Sequence, residues 1–175
     1  MKIKGTVWKF GDNIDTDLIT PGKYMDLPLE ELKKHVLEVV NPEFAAKVKA
    51  GDVIIAGANF GCGSSRETAP QAIKALGVGA VVAESFARIF FRNAVAIGLP
   101  VISCSKVAEA FDNGDEAEVD IEKAEIRNIT KGITLKATPL SEDIKNVILK
   151  GGIIPLLKEL AEERRRKSQQ GRIKQ

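Results

Sequence analysis

Apolar residues fall into three patterns along the chain, and each predicts a different element. Residues 3–10 (Ile-Lys-Gly-Thr-Val-Trp-Lys-Phe) alternate with polar ones, which predicts a half-buried strand. Three later runs, 52–56, 78–83 and 100–103, are short, continuous and rich in β-branched residues. Such runs fit strands buried on both faces. Helical spacing marks 29–40, where Leu32, Val36, Leu37 and Val40 recur before Asn41-Pro42, and a short helix follows over 43–48. Between the buried runs the pattern predicts helices over 68–76, stopped by Gly77, and over 85–97, stopped by Gly98.

The pattern then changes. Residues 116–120, 125–128 and 133–137 are short alternating segments, separated from their surroundings by Asn113-Gly114-Asp115 and Lys131-Gly132. They predict a β-meander. A helix over 142–150 ends at Gly151-Gly152, and 153–163 adds a helical turn or two. Alternating strands and helices followed by a meander give an α/β fold with a partly parallel sheet. No internal repeat or low-complexity linker divides it, so we expect one domain over 1–160 and a charged, flexible tail over 161–175.

Charge refines this picture. The net charge is +2, but residues 162–175 hold six Lys/Arg against Glu162 and Glu163, so this end alone carries +4 and the rest −2. A mildly acidic body with 5% aromatic residues lacks the basic, stacking face of a nucleic-acid binder. No apolar run approaches the roughly 20 residues of a membrane helix. The start, Met-Lys-Ile-Lys-Gly-Thr-Val, has no apolar signal region, so we expect a cytoplasmic protein without nucleic-acid or membrane partners. Two cysteines 42 positions apart and one histidine cannot complete a zinc or iron–sulfur site, so we expect no metal ligands on this chain.

Three segments carry candidate chemistry. Residues 57–67 (Gly-Ala-Asn-Phe-Gly-Cys-Gly-Ser-Ser-Arg-Glu) follow a buried strand and open a helix. Their glycines permit close backbone approach, and N–H groups converge there with Arg66, a setting suited to an anion. Arg66 has the forked geometry that a carboxylate needs. The same residues also fit a tight turn with a Ser64–Glu67 capping box. Residues 12–17 (Asp-Asn-Ile-Asp-Thr-Asp) lack the Gly and Glu of a calcium loop and equally fit an acidic turn. Residues 85–93 (Ser-Phe-Ala-Arg-Ile-Phe-Phe-Arg-Asn) place apolar side chains for a core, with Arg88 and Arg92 one turn apart to pair acids or face a partner. A phosphate loop, a dinucleotide fingerprint and a GxSxG elbow are all absent.

In that order, the segments Gly11–Asp17, 59–67 and 85–93 resemble the small subunits of 3-isopropylmalate dehydratases and, more broadly, the swivelling domain of aconitase-type hydro-lyases, over about residues 3–160. The resemblance implies a single swivelling β/β/α domain that docks on a separate large subunit. That subunit would hold a [4Fe–4S] cluster through its own cysteines, so this chain would bind no cofactor itself. It implies a hydro-lyase of leucine biosynthesis that moves the hydroxyl of a small hydroxy acid, 2-isopropylmalate to 3-isopropylmalate, by removing and returning water. By the same resemblance Ser64, as an alkoxide, is the catalytic base, Asp17, with Thr16, is similar to the active-site Asp that orients the serine loop or the substrate, and Thr16, Ser65 and Arg66 bind substrate. A substrate-reading loop would follow Pro21-Gly22-Lys23-Tyr24. Here it reads Met25-Asp26-Leu27, with no Arg between Lys23 and Leu32, which favours an alkyl group over an additional carboxylate. Homoaconitate and dimethylmalate-like substrates stay open, as does a scaffold domain with a decayed site.

Overall fold

The computed structural model of the protein describes residues 1–173. Seven strands form one sheet in the order β4-β3-β2-β1-β5-β6-β7. β1 (Lys2–Lys9) lies in the middle, parallel to β2 (Val53–Ala56) on one side and antiparallel to β5 (Glu116–Asp120) on the other. β3 (Ala80–Ala83) and β4 (Val101–Ser103) extend the parallel half, and β6 (Glu125–Asn128) and β7 (Ile133–Lys136) complete the meander. This is the α/β architecture expected from the sequence, with a partly parallel sheet, flanking helices and a small meander.

The buried β-branched runs explain the parallel half. In β2, Ile54 and Ala56 face one core together with Val81, Ala83 and Val101, while Val53 and Ile55 face a second core with Val82 and Ile102. Both faces are therefore covered, as parallel strands require. The first core is closed by α4 (Thr68–Ala75) and α5 (Arg88–Ala96), which bury Ala69, Ala72, Ile73, Phe90 and Ala94. The second is closed by α6 (Val107–Ala110), by α7 (Glu142–Leu149) through Ile148, and by the meander. α8 (Ile153–Ile173) follows the Gly151-Gly152 break as one helix of 21 residues, longer than the turn or two expected over 153–163, and it carries the charged residues expected as a flexible tail on its outer turns. Lys174 and Gln175 of the expected tail lie outside the described residues. No helix of the described residues is long and apolar enough to cross a membrane.

The structure departs from the sequence pattern in three places. The predicted helix over 29–40 stops early: α2 (Leu29–Leu32) tightens into a 3-10 turn at Lys33–His35, and Leu37 turns left-handed with φ 58°. That turn buries Leu32, Val36 and Leu37 together while the Leu37 N–H donates to the Ile19 carbonyl, so tertiary packing overrides helical spacing. The predicted helix over 85–97 starts only at Arg88. Residues 85–87 instead pair with the loop beyond β2: the Phe60 N–H donates to the Ser85 carbonyl and the Ala87 N–H to the Phe60 carbonyl. The acidic turn contains a single helical turn, α1 (Thr16–Ile19), capped by the Asp15 carboxylate, which accepts from the Leu18 N–H at 2.8 Å.

Candidate active site

Two loops leave the carboxyl ends of the adjacent parallel strands β1 and β2, where open α/β sheets place their ligand crevices. Residues 11–17 run from β1 into α1, and residues 57–67 from β2 into α4. Hydrogen bonds zip the two together. The Gly57 N–H donates to the Gly11 carbonyl, Asn13 N–H to Ala58, Gly61 N–H to Ile14 and Thr16 N–H to Cys62, all within 2.7–3.1 Å. The Asp12 carboxylate accepts from the Ala58 N–H at 2.8 Å, and Asn59 Nδ2 donates to Asn13 Oδ1 at 3.2 Å. Asp12 packs so closely that a Cβ on Gly57 would fall 1.8 Å from its Oδ1.

Gly61 is demanded twice over. Its φ is +82°, and a Cβ there would lie 2.2 Å from the Phe90 ring. Phe90 in turn stacks edge-on against Phe60 at 5.3 Å, so the loop is seated directly on α5.

This zipper brings the sequence-predicted residues into one place. Thr16 is buried, and its Oγ1 donates to the Ser64 carbonyl at 3.0 Å while lying 3.2 Å from Ser64 Oγ. Arg66 Nη1 donates to Asp17 Oδ1 at 3.2 Å and to the Thr20 carbonyl at 2.8 Å. Asp17 Oδ1 also accepts the Gly22 N–H at 3.0 Å. The Gly22 N–H first, and the Arg66 guanidinium second, hold the Asp17 carboxyl below the usual carboxylate range. Ser64 and Ser65 are exposed, and the N–H groups of Gly63, Ser64 and Ser65 donate to no acceptor among the described residues. The expected Ser64–Glu67 capping box does not form: α4 starts at Thr68 without a side-chain cap, and Ser64 Oγ turns to Thr16 instead.

The 22–28 loop is attached through side chains, with Tyr24 stacked on His35 at 3.7 Å and Lys23 paired with Glu38. Met25 reaches the start of α4, with Thr68 Oγ1 3.7 Å from its sulfur. Asp26 and Leu27 are exposed on the outer side of that loop, without a hydrogen bond to Ser64, Ser65 or Arg66. Ser64, Arg66 and Thr16 line a cleft of about 290 Å³ together with Arg88, Ile89, Phe90 and Asn93. Sequence reasoning left Arg88 and Asn93 out of the site, although both lie in the 85–93 segment that it singled out. The signal for Arg88 was its one-turn spacing from Arg92 on a helix whose other face is apolar; Asn93 carried none.

Neither cysteine offers a cluster cradle. Burial pushes the Cys104 thiol up to about 11, with Glu84 adding to the shift, and Cys104 sits in the second core. Cys62 lies in the serine loop. No group of three or more His, Cys, Asp or Glu side chains could hold a metal among the described residues.

Residues 9–106 match the family described as Aconitase C-terminal domain. The chain is 54% identical over 159 residues to 3-isopropylmalate dehydratase small subunit 1 of Archaeoglobus fulgidus, covering 90% of this chain and 98% of that protein. It is 51% identical over 153 residues to the methanogen homoaconitase small subunit of Methanothermobacter thermautotrophicus, covering 87% and 88%. The crystal structure of 3-isopropylmalate dehydratase from Methanocaldococcus jannaschii superposes with a TM-score of 0.90 at 43% identity, covering 95% of this chain and 99% of that one. On this match, and with the Asp17–Ser64–Arg66 loops folded as described, the chain belongs to the aconitase C-terminal domain family and, within it, to the small subunits of the 3-isopropylmalate dehydratases.

Proposed function

We propose that this chain, joined to a large subunit, interconverts 2-isopropylmalate and 3-isopropylmalate in the cytoplasm as a step of leucine biosynthesis. Residues 1–160 act as the swivelling domain, and 161–175 as a charged appendage. One observation carries the reading: the Ser64 hydroxyl stands in an open cleft against a single buried hydroxyl, Thr16, with unpaired N–H groups and Arg66 beside it.

The chemistry asks for a base at a carbon next to a carboxylate. Ser64 Oγ, as an alkoxide, takes that proton; the electron pair forms the double bond as hydroxide leaves the neighbouring carbon. Water returns with the hydroxyl and proton exchanged between the two carbons, which gives the isomer. A [4Fe–4S] cluster on the large subunit supplies the Lewis acid for the leaving hydroxyl.

A serine hydroxyl is a weak acid, so its anion needs donors fixed in advance. Thr16 Oγ1 is within bonding distance of both the Ser64 carbonyl and Oγ, so its proton can turn from the carbonyl to the alkoxide. The free N–H groups of Gly63–Ser65 add dipoles of the same sign. Arg66 uses Nη1 for Asp17 and Thr20, which leaves Nη2 and Nε to meet a substrate carboxylate, with Ser65 and Thr16 beside it. Asp17 orients this arginine and, through the Gly22 N–H, ties it to the 22–28 loop.

Met25 and Leu27 favour an alkyl substituent, and Asp26 disfavours an additional carboxylate, because an unpaired buried charge is very costly. The reconstituted two-chain enzyme is therefore expected to prefer 3-isopropylmalate over homoaconitate by about tenfold or more in kcat/KM, consistent with a buried Val- or Leu-sized group worth about 1.5–3 kcal/mol. A preference for the tricarboxylate in an assay over both substrates overturns the substrate assignment. It would favour the homoaconitase reading, the name borne by one relative of nearly equal identity.

A further inference from the structure

α8 leaves the body of the protein with no buried residue along its 21 positions. Its first half is nevertheless apolar: Ile153, Ile154, Leu157 and Leu160 recur at helical spacing, and Ile154 and Leu157 are 67% and 58% exposed. Residues so spaced share one side of a helix and normally pack on something. A helix with nothing to pack on draws little stability from propensity alone.

The base of α8 is fixed. A Cβ on Gly98 would come within 2.4 Å of the Gly151 carbonyl carbon, and one on Gly152 within 2.8 Å of the Ala96 oxygen, so two backbones touch here. Lys74 Nζ donates to the carbonyls of Ile97 and Gly151 and ties α4 to the same point. The first turn of α8 forms one wall of a groove of about 310 Å³ beside α4 and α5, lined by Glu67, Asn93, Ile97, Ile153 and Ile154 among others.

Asn93 lines both this groove and the serine cleft, and Ile89, 51% exposed, stands one turn before it on the cleft side. Exposed Ile89 beside the cleft is thus linked, through Asn93 and the half-buried Ile97, to the exposed Ile153, Ile154, Leu157 and Leu160. Contiguous exposed apolar surface of this kind marks an interaction site.

We propose that this surface is the seat of the large subunit and that α8 is the arm that grips it. The proposal rests on the two-chain reading given above. The occupant follows from continuity: a partner that closes the cleft must pass over Ile89 and Asn93, and the next surface it meets is the base of α8. Beyond Leu160 the arm becomes basic, with Arg164, Arg165, Arg166 and Lys167, so the partner surface facing the outer turns is acidic.

The test measures affinity of the full chain for the large subunit from the same source. Ile154→Asp and Leu157→Asp should each weaken binding about tenfold or more, and together about a hundredfold. Circular dichroism and melting of the isolated variants should match the wild type, because neither side chain is buried. Ile133→Lys, on β7 at the far edge of the sheet, should bind as the wild type does. Turnover of the arm variants should recover at saturating large subunit. An unchanged dissociation constant overturns the proposal. So does an isolated wild-type dimer that Leu157→Asp splits without loss of large-subunit affinity, since the occupant is then a second copy. Failure of the catalytic reading is separate: Ser64→Ala should bind the large subunit normally, and only its turnover bears on Ser64. If the wild-type chain forms no complex at all, the two-chain reading falls and the arm with it.

Discussion

The serine loop and the 22–28 loop meet at Arg66 and are held in opposite ways. The serine loop is fixed by bonds between distant parts of the chain: Asp12 and Ile14 each take one of its N–H groups, Ser85 takes two, and Phe90 fills the space that a side chain at Gly61 would need. The 22–28 loop is held by its own turns, Met25 N–H to Gly22 and Leu27 N–H to Tyr24, and otherwise through side chains: Asp17 and Thr68, the His35 ring stacked on Tyr24 at 3.7 Å, and Glu38 paired with Lys23. Groups that act on a reacting bond must be held to a fraction of an ångström, whereas groups that select a substituent need only supply a surface. On the proposed reading, the loop that selects can therefore change in sequence without disturbing the loop that reacts.

The largest expected effect breaks the rigid side of this comparison. Gly61→Ala forces a side chain into left-handed backbone and against the Phe90 ring, at a cost of about 1–2 kcal/mol for the backbone and about 1–3 kcal/mol for overpacking. Thermal melting of the isolated chain should fall by roughly 5–15 °C, at about 2–4 °C per kcal/mol for a chain of this size. Leu27→Ala, in the other loop, should stay within about 0.5 kcal/mol of wild type. Equal losses from the two would erase the distinction.

Asp26→Arg acts on the selecting side. It should narrow or reverse the preference for 3-isopropylmalate over homoaconitate by about tenfold, with melting unchanged, because it supplies the charge that an additional carboxylate lacks. An unchanged ratio would mean that Asp26, exposed in the isolated chain, does not reach the substrate in the complex.

Arg66→Lys tests the junction. A point charge replaces a fork, so KM should rise about tenfold, in line with a lost charged hydrogen bond of about 1.5 kcal/mol, while kcat changes less. A fall in kcat at constant KM would instead move Arg66 to the chemical step.

The smallest effect is a titration. Asp17 is held below its usual value by the Gly22 N–H and then by Arg66. Its ionised form therefore favours the folded loop above the unfolded value of about 3.9, and that contribution fades as pH falls through the lowered folded value. Carboxyl carbon NMR of the full chain should give a midpoint below about 3.9, rising toward it in Arg66→Ala. A midpoint at or above that value in the wild type would contradict the pairing.

Much of this was legible in the sequence, for physical reasons that differ by region. The buried strands β2, β3 and β4 announced themselves because continuous β-branched runs need cover on both faces. Three glycines and Arg66 after β2 marked the loop that carries the candidate site. The partnership of Thr16 with Ser64 was not legible: it joins residues 48 apart, and Ser64–Glu67 spacing suggested a cap that the loop does not make. The early stop of α2 was hidden for a similar reason, since Leu32, Val36 and Leu37 have helical spacing yet Val36 and Leu37 reach the first core through a left-handed turn. α5 starts three residues later than its pattern suggests because residues 85–87 pair with Phe60. Local periodicity cannot report a bond between loops.

The central claim is that Ser64 is the base, and the most direct measurement is the kcat of Ser64→Ala in the reconstituted two-chain enzyme. The account predicts a fall of at least about 10²-fold, the lower end of acid–base contributions, with unchanged melting and unchanged affinity for the large subunit. Turnover within a few-fold of wild type would contradict it.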